Sequence, residues 1–119
     1  MQDVTDKFIF KIVPARVWQA AQATGVVAPM PIDESDGYIH LSTRSQLPGT
    51  LALHFAGHEN LAVLKVDISR LTQPLKWETA RGGTQFPHLY GTLKAAAVVE
   101  NFAVSVAPDG RCDLPANVD

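Results

Sequence analysis

Phe8-Ile9-Phe10-Lys11-Ile12-Val13 is apolar on both faces except for one lysine, the pattern of a buried strand. Pro14 ends it and fits the first turn of a helix running to about Ala23, in which Val17, Ala20 and Ala21 recur at helical spacing beside Trp18 until Gly25. Leu61-Ala62-Val63-Leu64-Lys65-Val66-Asp67 is again apolar on both faces and predicts a central strand. Between these strands, Leu47, Leu51 and Phe55 repeat every four residues toward Gly57, which predicts a second helix. Thr43 and Gln46 have capping-box spacing ahead of it, and Pro48 places its regular start nearby. Leu75-Lys76-Trp77-Glu78 alternates, turning Leu75 and Trp77 inward. Further strands are expected over residues 89–93 and 97–106.

The remaining segments read as connections. Residues 26–36 hold two prolines and the acidic run Asp33-Glu34-Ser35-Asp36, which predicts a solvated surface loop. Residues 79–85, with Arg81-Gly82-Gly83, predict a mobile loop, and residues 108–119 a tail. Two early helices among dominant strands give an α+β domain on mostly antiparallel sheet.

Composition narrows the setting. A chain of 119 residues, 46% hydrophobic, fits one domain spanning 1–119, with a core over about 8–106 and tails at 1–7 and 108–119. The single Cys112 cannot close an internal disulfide, and residues 1–7 lack the basic start and apolar run of a signal peptide; both suit a cytoplasmic protein. No apolar stretch approaches the roughly 18 residues of a membrane span. With a net charge of −2 and scattered basic residues, nucleic acid is disfavoured as a partner and a small ligand or a protein partner is favoured.

Chemistry concentrates in two strand-like clusters, Gly37-Tyr38-Ile39-His40-Leu41-Ser42-Thr43 and Phe86-Pro87-His88-Leu89-Tyr90-Gly91. Alternation sends Ile39 and Leu41 to the core and leaves Tyr38, His40 and Ser42 on the opposite face, while His88 pairs with Tyr90 by the same parity. If the strands are neighbours, both imidazoles line one cleft suited to acid/base chemistry or polar-ligand recognition. The bland alternative is histidines bonded to backbone carbonyls and tyrosines filling gaps. His54 and His58 stand four apart, but Gly57 separates them at the expected helix end, so no metal site is expected. No Gly-x-Ser-x-Gly elbow supports a serine hydrolase, and Arg81-Gly82-Gly83-Thr84 lacks the spacing and lysine of a phosphate loop. Lys11, interrupting an apolar strand, must reach water, a carboxylate or a ligand.

The order Phe10-Lys11-Ile12, Trp18, Gly37-Tyr38-Ile39-His40-Leu41-Ser42-Thr43 with Gln46, Trp77-Glu78, and Phe86-Pro87-His88-Leu89-Tyr90-Gly91 resembles domain-of-unknown-function family 952 over residues 8–106. More remotely, Tyr38-Ile39-His40-Leu41-Ser42 is similar to the Val-His-Leu-Ser strand of the RNA 2'-phosphotransferases, NAD-using members of the ADP-ribosyltransferase fold. That resemblance implies two small, curved, mostly antiparallel sheets in a split barrel-like core with a dinucleotide cleft between them. His40 and Ser42 transfer by motif, and Glu78 and His88 fall near the cleft by the family pattern. The first strand departs, reading Phe10-Lys11-Ile12-Val13 where the phosphotransferases carry a Tyr-His-Gly-Thr type motif.

The resemblance therefore implies an NAD-type cleft with His40, Glu78 and His88 as catalytic candidates and Lys11, Tyr38, Ser42, Thr43 and Tyr90 as cofactor-binding candidates. In it His40 and Ser42 would bond the ribose, Tyr38 or Tyr90 would stack on a flat ring, Glu78 would stabilise a positively charged ribose, and Lys11 would meet a phosphate. The alternatives are a non-catalytic metabolite-binding module and a small hydrolase using the His40 and His88 pair.

Overall fold

The computed structural model describes residues 7–115 and 118, and the side chain of Arg81 is left out of the description. Strand β1 spans Phe8–Pro14 and runs into helix α1, Ala15–Thr24; Gly25 closes that helix in the left-handed region. Strands β2 (Val26–Val27), β3 (Ile39–His40), β4 (Leu61–Asp67), β5 (Leu75–Thr79), β6 (Gln85–Leu89), β7 (Leu93–Lys94) and β8 (Val98–Val104) follow, with helices α2 (Pro31–Asp36) and α3 (Leu47–His54) between them.

Three antiparallel sheets result, ordered β1-β4-β8, β2-β7 and β3-β6-β5. The domain is therefore α+β with antiparallel sheet, as the alternation predicts. Two expectations need correction: the described residues form three sheets and three α-helices instead of two of each, and none of those sheets closes into a barrel.

The runs that are apolar on both faces divide their side chains between two cores. Ile9, Val13, Leu64 and Val66 join Ile39, Leu41, Leu89 and Leu93 in one; Phe10, Ile12, Leu61 and Val63 join Leu47, Leu51, Phe102 and Val104 in the other. Each fully buried aliphatic side chain contributes about 1.5–3 kcal/mol, so the central position of β4 follows from having no polar face to expose. Residues 108–119, expected as a tail, are anchored where described: Cys112 and Leu114 pack on the second core, and Val118 lies inside it.

The largest correction is α2. The acidic run read as a solvated loop is a short helix, begun by Pro31 and ended by Gly37, whose φ of 83° lies in the left-handed region and whose N–H reaches the Asp33 carbonyl at 2.9 Å. Asp33 turns inward and is buried, its carboxylate accepting the Met30 N–H at 2.8 Å. Segment 79–85, expected as a mobile loop, is a tight connection between β5 and β6, closed by the Ala80 N–H donating to the Thr84 carbonyl at 2.9 Å. No single strand covers residues 89–93: β6 starts at Gln85, where Phe86 and His88 pair with Glu78 and Lys76 of β5, and ends at Leu89, and β7 begins at Leu93.

Candidate functional site

The site forms where two sheets diverge. Edge strand β1 pairs with the chain beyond β3 through one bridge, Phe10 with Ser42, closed by backbone hydrogen bonds of 2.7 and 2.9 Å. On either side of that bridge the strands separate, and a cleft of about 520 Å³ opens between them. Phe10, Lys11 and Ile12 line it from β1, and His40, Ser42, Phe86 and His88 from the β3–β6 side.

His40 and His88 are register partners across β3 and β6, with ring centroids 5.5 Å apart. Cross-strand partners share a face, so parity alone carries both imidazoles to the side opposite Ile39 and Leu89. Tyr38 covers the pair, stacked on His88 at 4.1 Å and tilted against His40 at 4.6 Å. The His88 ring is almost sealed, and its Nδ1 lies 2.8 Å from Glu78 Oε1. The same oxygen accepts the Tyr90 hydroxyl at 2.7 Å. Those two hydrogen bonds, from His88 first and Tyr90 second, hold the Glu78 carboxyl below the usual carboxylate range. Tyr90, held as a donor to the carboxylate, is pushed up to about 12. The Tyr38 phenol is also raised, by burial and then by the Asp36 and Glu78 charges.

His40 is gripped by carboxylates on both sides, with Nδ1 2.8 Å from Asp33 Oδ1 and Nε2 2.9 Å from Asp36 Oδ2. Both contacts are hydrogen bonds at once only when both ring nitrogens carry hydrogen. Asp33 does more than hold this ring. Its Oδ2 receives the Lys11 ammonium at 2.8 Å, and its Oδ1 also takes the His40 backbone N–H at 3.0 Å. Burial pulls the Asp33 carboxyl up, but the Lys11 charge and these hydrogen bonds outweigh it and hold the group below its ordinary value. Burial also pulls the Lys11 ammonium down, against the opposing pull of Asp33. Lys11 donates as well to the His40 carbonyl at 3.1 Å.

The candidates named from sequence thus separate into three groups. Lys11, His40, Ser42 and His88 line the cleft together. Tyr38, Glu78 and Tyr90 stand behind the histidines and touch His88 directly or through Glu78, without being part of the cleft wall. Thr43 serves the entry to α3: its N–H donates to Gln46 Oε1 at 3.0 Å and its hydroxyl accepts the Gln46 N–H at 3.2 Å, the reciprocal pair of a capping box.

Sequence reasoning missed Asp33, Asp36 and the opposite wall. His54 and His58, weighed only as a metal pair, line the cleft, which therefore gathers all four histidines of the chain. Among the described residues no three His, Cys, Asp or Glu side chains form a metal-binding group. The one sequence signal for Asp33 was Lys11 itself, since a buried ammonium demands a buried counter-charge.

The model of the family described as "Protein of unknown function (DUF952)" matches residues 12–101, and the chain belongs to that family. The chain is similar to protein CC0527 from Caulobacter crescentus. Its X-ray structure aligns with a TM-score of 0.82 at 39% identity, covering 89% of this chain and 93% of that one. The solution NMR structure of CC0527 gives a TM-score of 0.74 at 40% identity, covering 87% and 89%. No curated protein matches the chain. Among the described residues no helix is long and apolar enough to cross a membrane.

Proposed function

We propose that this domain binds a nucleotide of the nicotinamide-dinucleotide type in the cleft between its diverging sheets, with His88 as the group that exchanges a proton with the bound ligand. The observation that carries the reading is the cleft itself: about 520 Å³, walled by Phe10, Ile12 and Phe86, with imidazoles spaced along it. That volume lies within the roughly 300–1,000 Å³ of small-molecule sites, and apolar walls with a few polar groups suit a ring-bearing ligand. His88 suits proton exchange because Glu78 occupies Nδ1 and fixes the ring, which leaves Nε2 for the ligand.

The roles inferred by resemblance change under this geometry. Glu78 is a positioning residue for His88 in place of a charge facing the ribose. Lys11 is neutralised by Asp33 at 2.8 Å, so its contribution is to fix α2 and His40 instead of binding phosphate. Ser42 keeps its ligand role with a defined polarity. The Thr50 hydroxyl donates to the Gln46 carbonyl at 3.2 Å, so the 3.0 Å Ser42–Thr50 contact is a bond only if Ser42 is the donor. Ser42 Oγ then offers lone pairs, and a ligand hydroxyl or amide N–H is its fitting partner.

In the catalytic form of this reading, an ADP-ribosyl-transfer reaction, an acceptor's nucleophilic atom bonds to the ribose anomeric carbon as the ribose–nicotinamide bond breaks. Nicotinamide leaves with that bond's electron pair as a neutral molecule, and the acceptor's proton passes to His88. A non-catalytic binding module is the second reading, favoured by the withdrawal of the Glu78 carboxylate from the cleft wall. Thermal shift with NAD tests binding, because a ligand at 100 times its dissociation constant adds about 2.7 kcal/mol to stability. An assay for released nicotinamide then separates the two forms. Saturable stabilisation by NAD that His88→Ala removes is expected; no response to NAD or its mononucleotide halves contradicts the proposal.

A further inference from the structure

We infer that the cleft recognises an amino group (NH2) carried on a planar ring, held between two hydrogen-bond acceptors, His88 Nε2 and Ser42 Oγ; this rests on the nucleotide reading above and names the part of the ligand these residues meet. The polarity of His88 is set from behind. Glu78 Oε1 takes the Tyr90 hydroxyl at 2.7 Å and lies 2.8 Å from His88 Nδ1, and the two bonds hold its carboxyl below the usual carboxylate range. An ionised carboxylate only accepts, so the hydrogen of the neutral imidazole sits on Nδ1 and Nε2 carries a lone pair. Only 4% of the His88 side chain is exposed. Among the described residues every fully buried polar side-chain atom has a hydrogen-bond partner, and none is described for Nε2, so the small exposed part of the ring includes Nε2, at the cleft wall.

Ser42 has the same polarity for a different reason. Its hydroxyl hydrogen goes to Thr50, whose own hydrogen goes to the Gln46 carbonyl, so Oγ meets a ligand with lone pairs alone. Ser42 stands two residues beyond His40, the register partner of His88, and the Leu41 N–H donates to the Pro87 carbonyl at 3.1 Å, which keeps the two chains adjacent there. It is thus the diagonal neighbour of His88, a relation that spans about 7–8 Å. From between them one NH2 supplies a hydrogen to each. A ligand group that only accepts would set lone pairs against lone pairs and leave both acceptors dry and unpaired. Phe10, Ile12 and Phe86 give the ring its apolar walls. The proton-exchange role of His88 needs the same polarity, since a base takes a proton only on a nitrogen without hydrogen.

The test is calorimetric titration at pH 8, where an ordinary imidazole is neutral, with two matched pairs of probes and with NAD. Nicotinamide is compared with 3-acetylpyridine, which keeps the ring and carbonyl but has no N–H, and adenosine with purine riboside, which lacks the amino group. The NH2-bearing member of one pair should bind about tenfold tighter or better, the size of a lost hydrogen bond, and the pair that shows it tells which end of the dinucleotide the two acceptors hold. Ser42→Ala should shrink that ratio several-fold. Nitrogen-15 NMR of the free protein, with His88 assigned from His88→Gln, should show hydrogen on Nδ1 and none on Nε2. Equal affinity within both pairs, a ratio unchanged in folded Ser42→Ala, or hydrogen on Nε2 of His88 overturns the two-acceptor assignment, and NAD binding in that case leaves the nucleotide reading intact. An NH2 preference with no binding of NAD supports the assignment and removes the dinucleotide reading. No binding of any probe overturns both.

Discussion

Lys11 Nζ and Asp33 Oδ2 meet at 2.8 Å with both side chains almost wholly sealed from solvent, joining the edge strand β1 to the short helix α2. Asp33 also receives the backbone N–H groups of Met30 and His40 and one nitrogen of the His40 ring. One carboxylate thus fixes α2, the start of the His40 strand and the imidazole of a cleft residue. Removing either partner leaves a buried charge without its complement, which typically costs about 3–5 kcal/mol.

Asp33→Ala should be more destabilising than Lys11→Met, because it also orphans two backbone donors, and the two substitutions together should cost less than their sum. Chemical denaturation of the three variants measures this. Equal and additive effects would show that the pair is not coupled. The pH dependence has a fixed sign: the folded-state value of Asp33 is depressed, so its contribution is fully present above the unfolded value of about 3.9 and is lost as pH falls through the lower folded value. Asp33→Asn should flatten the loss of stability in that acid range.

Tyr90 gives the alkaline counterpart. Its phenol is raised to about 12 by donation to Glu78, so its stabilising contribution is complete below the unfolded value near 10 and disappears as pH rises toward 12. Absorbance at the tyrosinate band should show neither of the two tyrosines ionising at the ordinary value. Glu78→Gln should bring the Tyr90 midpoint down toward 10. A Tyr90 midpoint unmoved by that substitution would mean that the 2.7 Å hydrogen bond is not its cause.

Gly91, which closes the second histidine cluster, has a structural task. Its φ of 152° falls in the range that glycine favours, and a Cβ there would stand 2.4 Å from Gln73 Cγ and 2.6 Å from Gln73 Cβ. Gly91→Ala should cost about 1–3 kcal/mol from backbone strain and overpacking, measured as a lowered denaturation midpoint. Pairing Gly91→Ala with Gln73→Gly should recover the overpacking part and leave the backbone part.

Much of this arrangement was legible in the chain. The apolar runs at Phe8 and Leu61 announced strands buried on both faces, and the period-two pattern around Tyr38 and Phe86 turned His40 and His88 away from the core, while their sharing one face came from the β3–β6 pairing. Helix α2 was hidden because an acidic run is normally solvated, and six residues hold too few turns for an apolar stripe to show. What turned Asp33 inward is a partner 22 positions earlier, a relationship no local pattern records. Glu78 was found, but its place behind His88 depends on sheet β3-β6-β5, whose strand order the sequence does not express. His54 and His58 were judged by their separation along the chain, whereas their common feature is the cavity wall to which α3 brings them.

The most direct test of a nucleotide cleft is the amide spectrum of the protein titrated with NAD. Saturable shift changes should cluster at Phe10, Lys11, Ile12, His40, Ser42, Phe86 and His88, and should be lost in His88→Ala while the remaining signals keep their folded positions. A spectrum unchanged by NAD, or changes centred on α1 and β8 away from the cleft, would contradict the account.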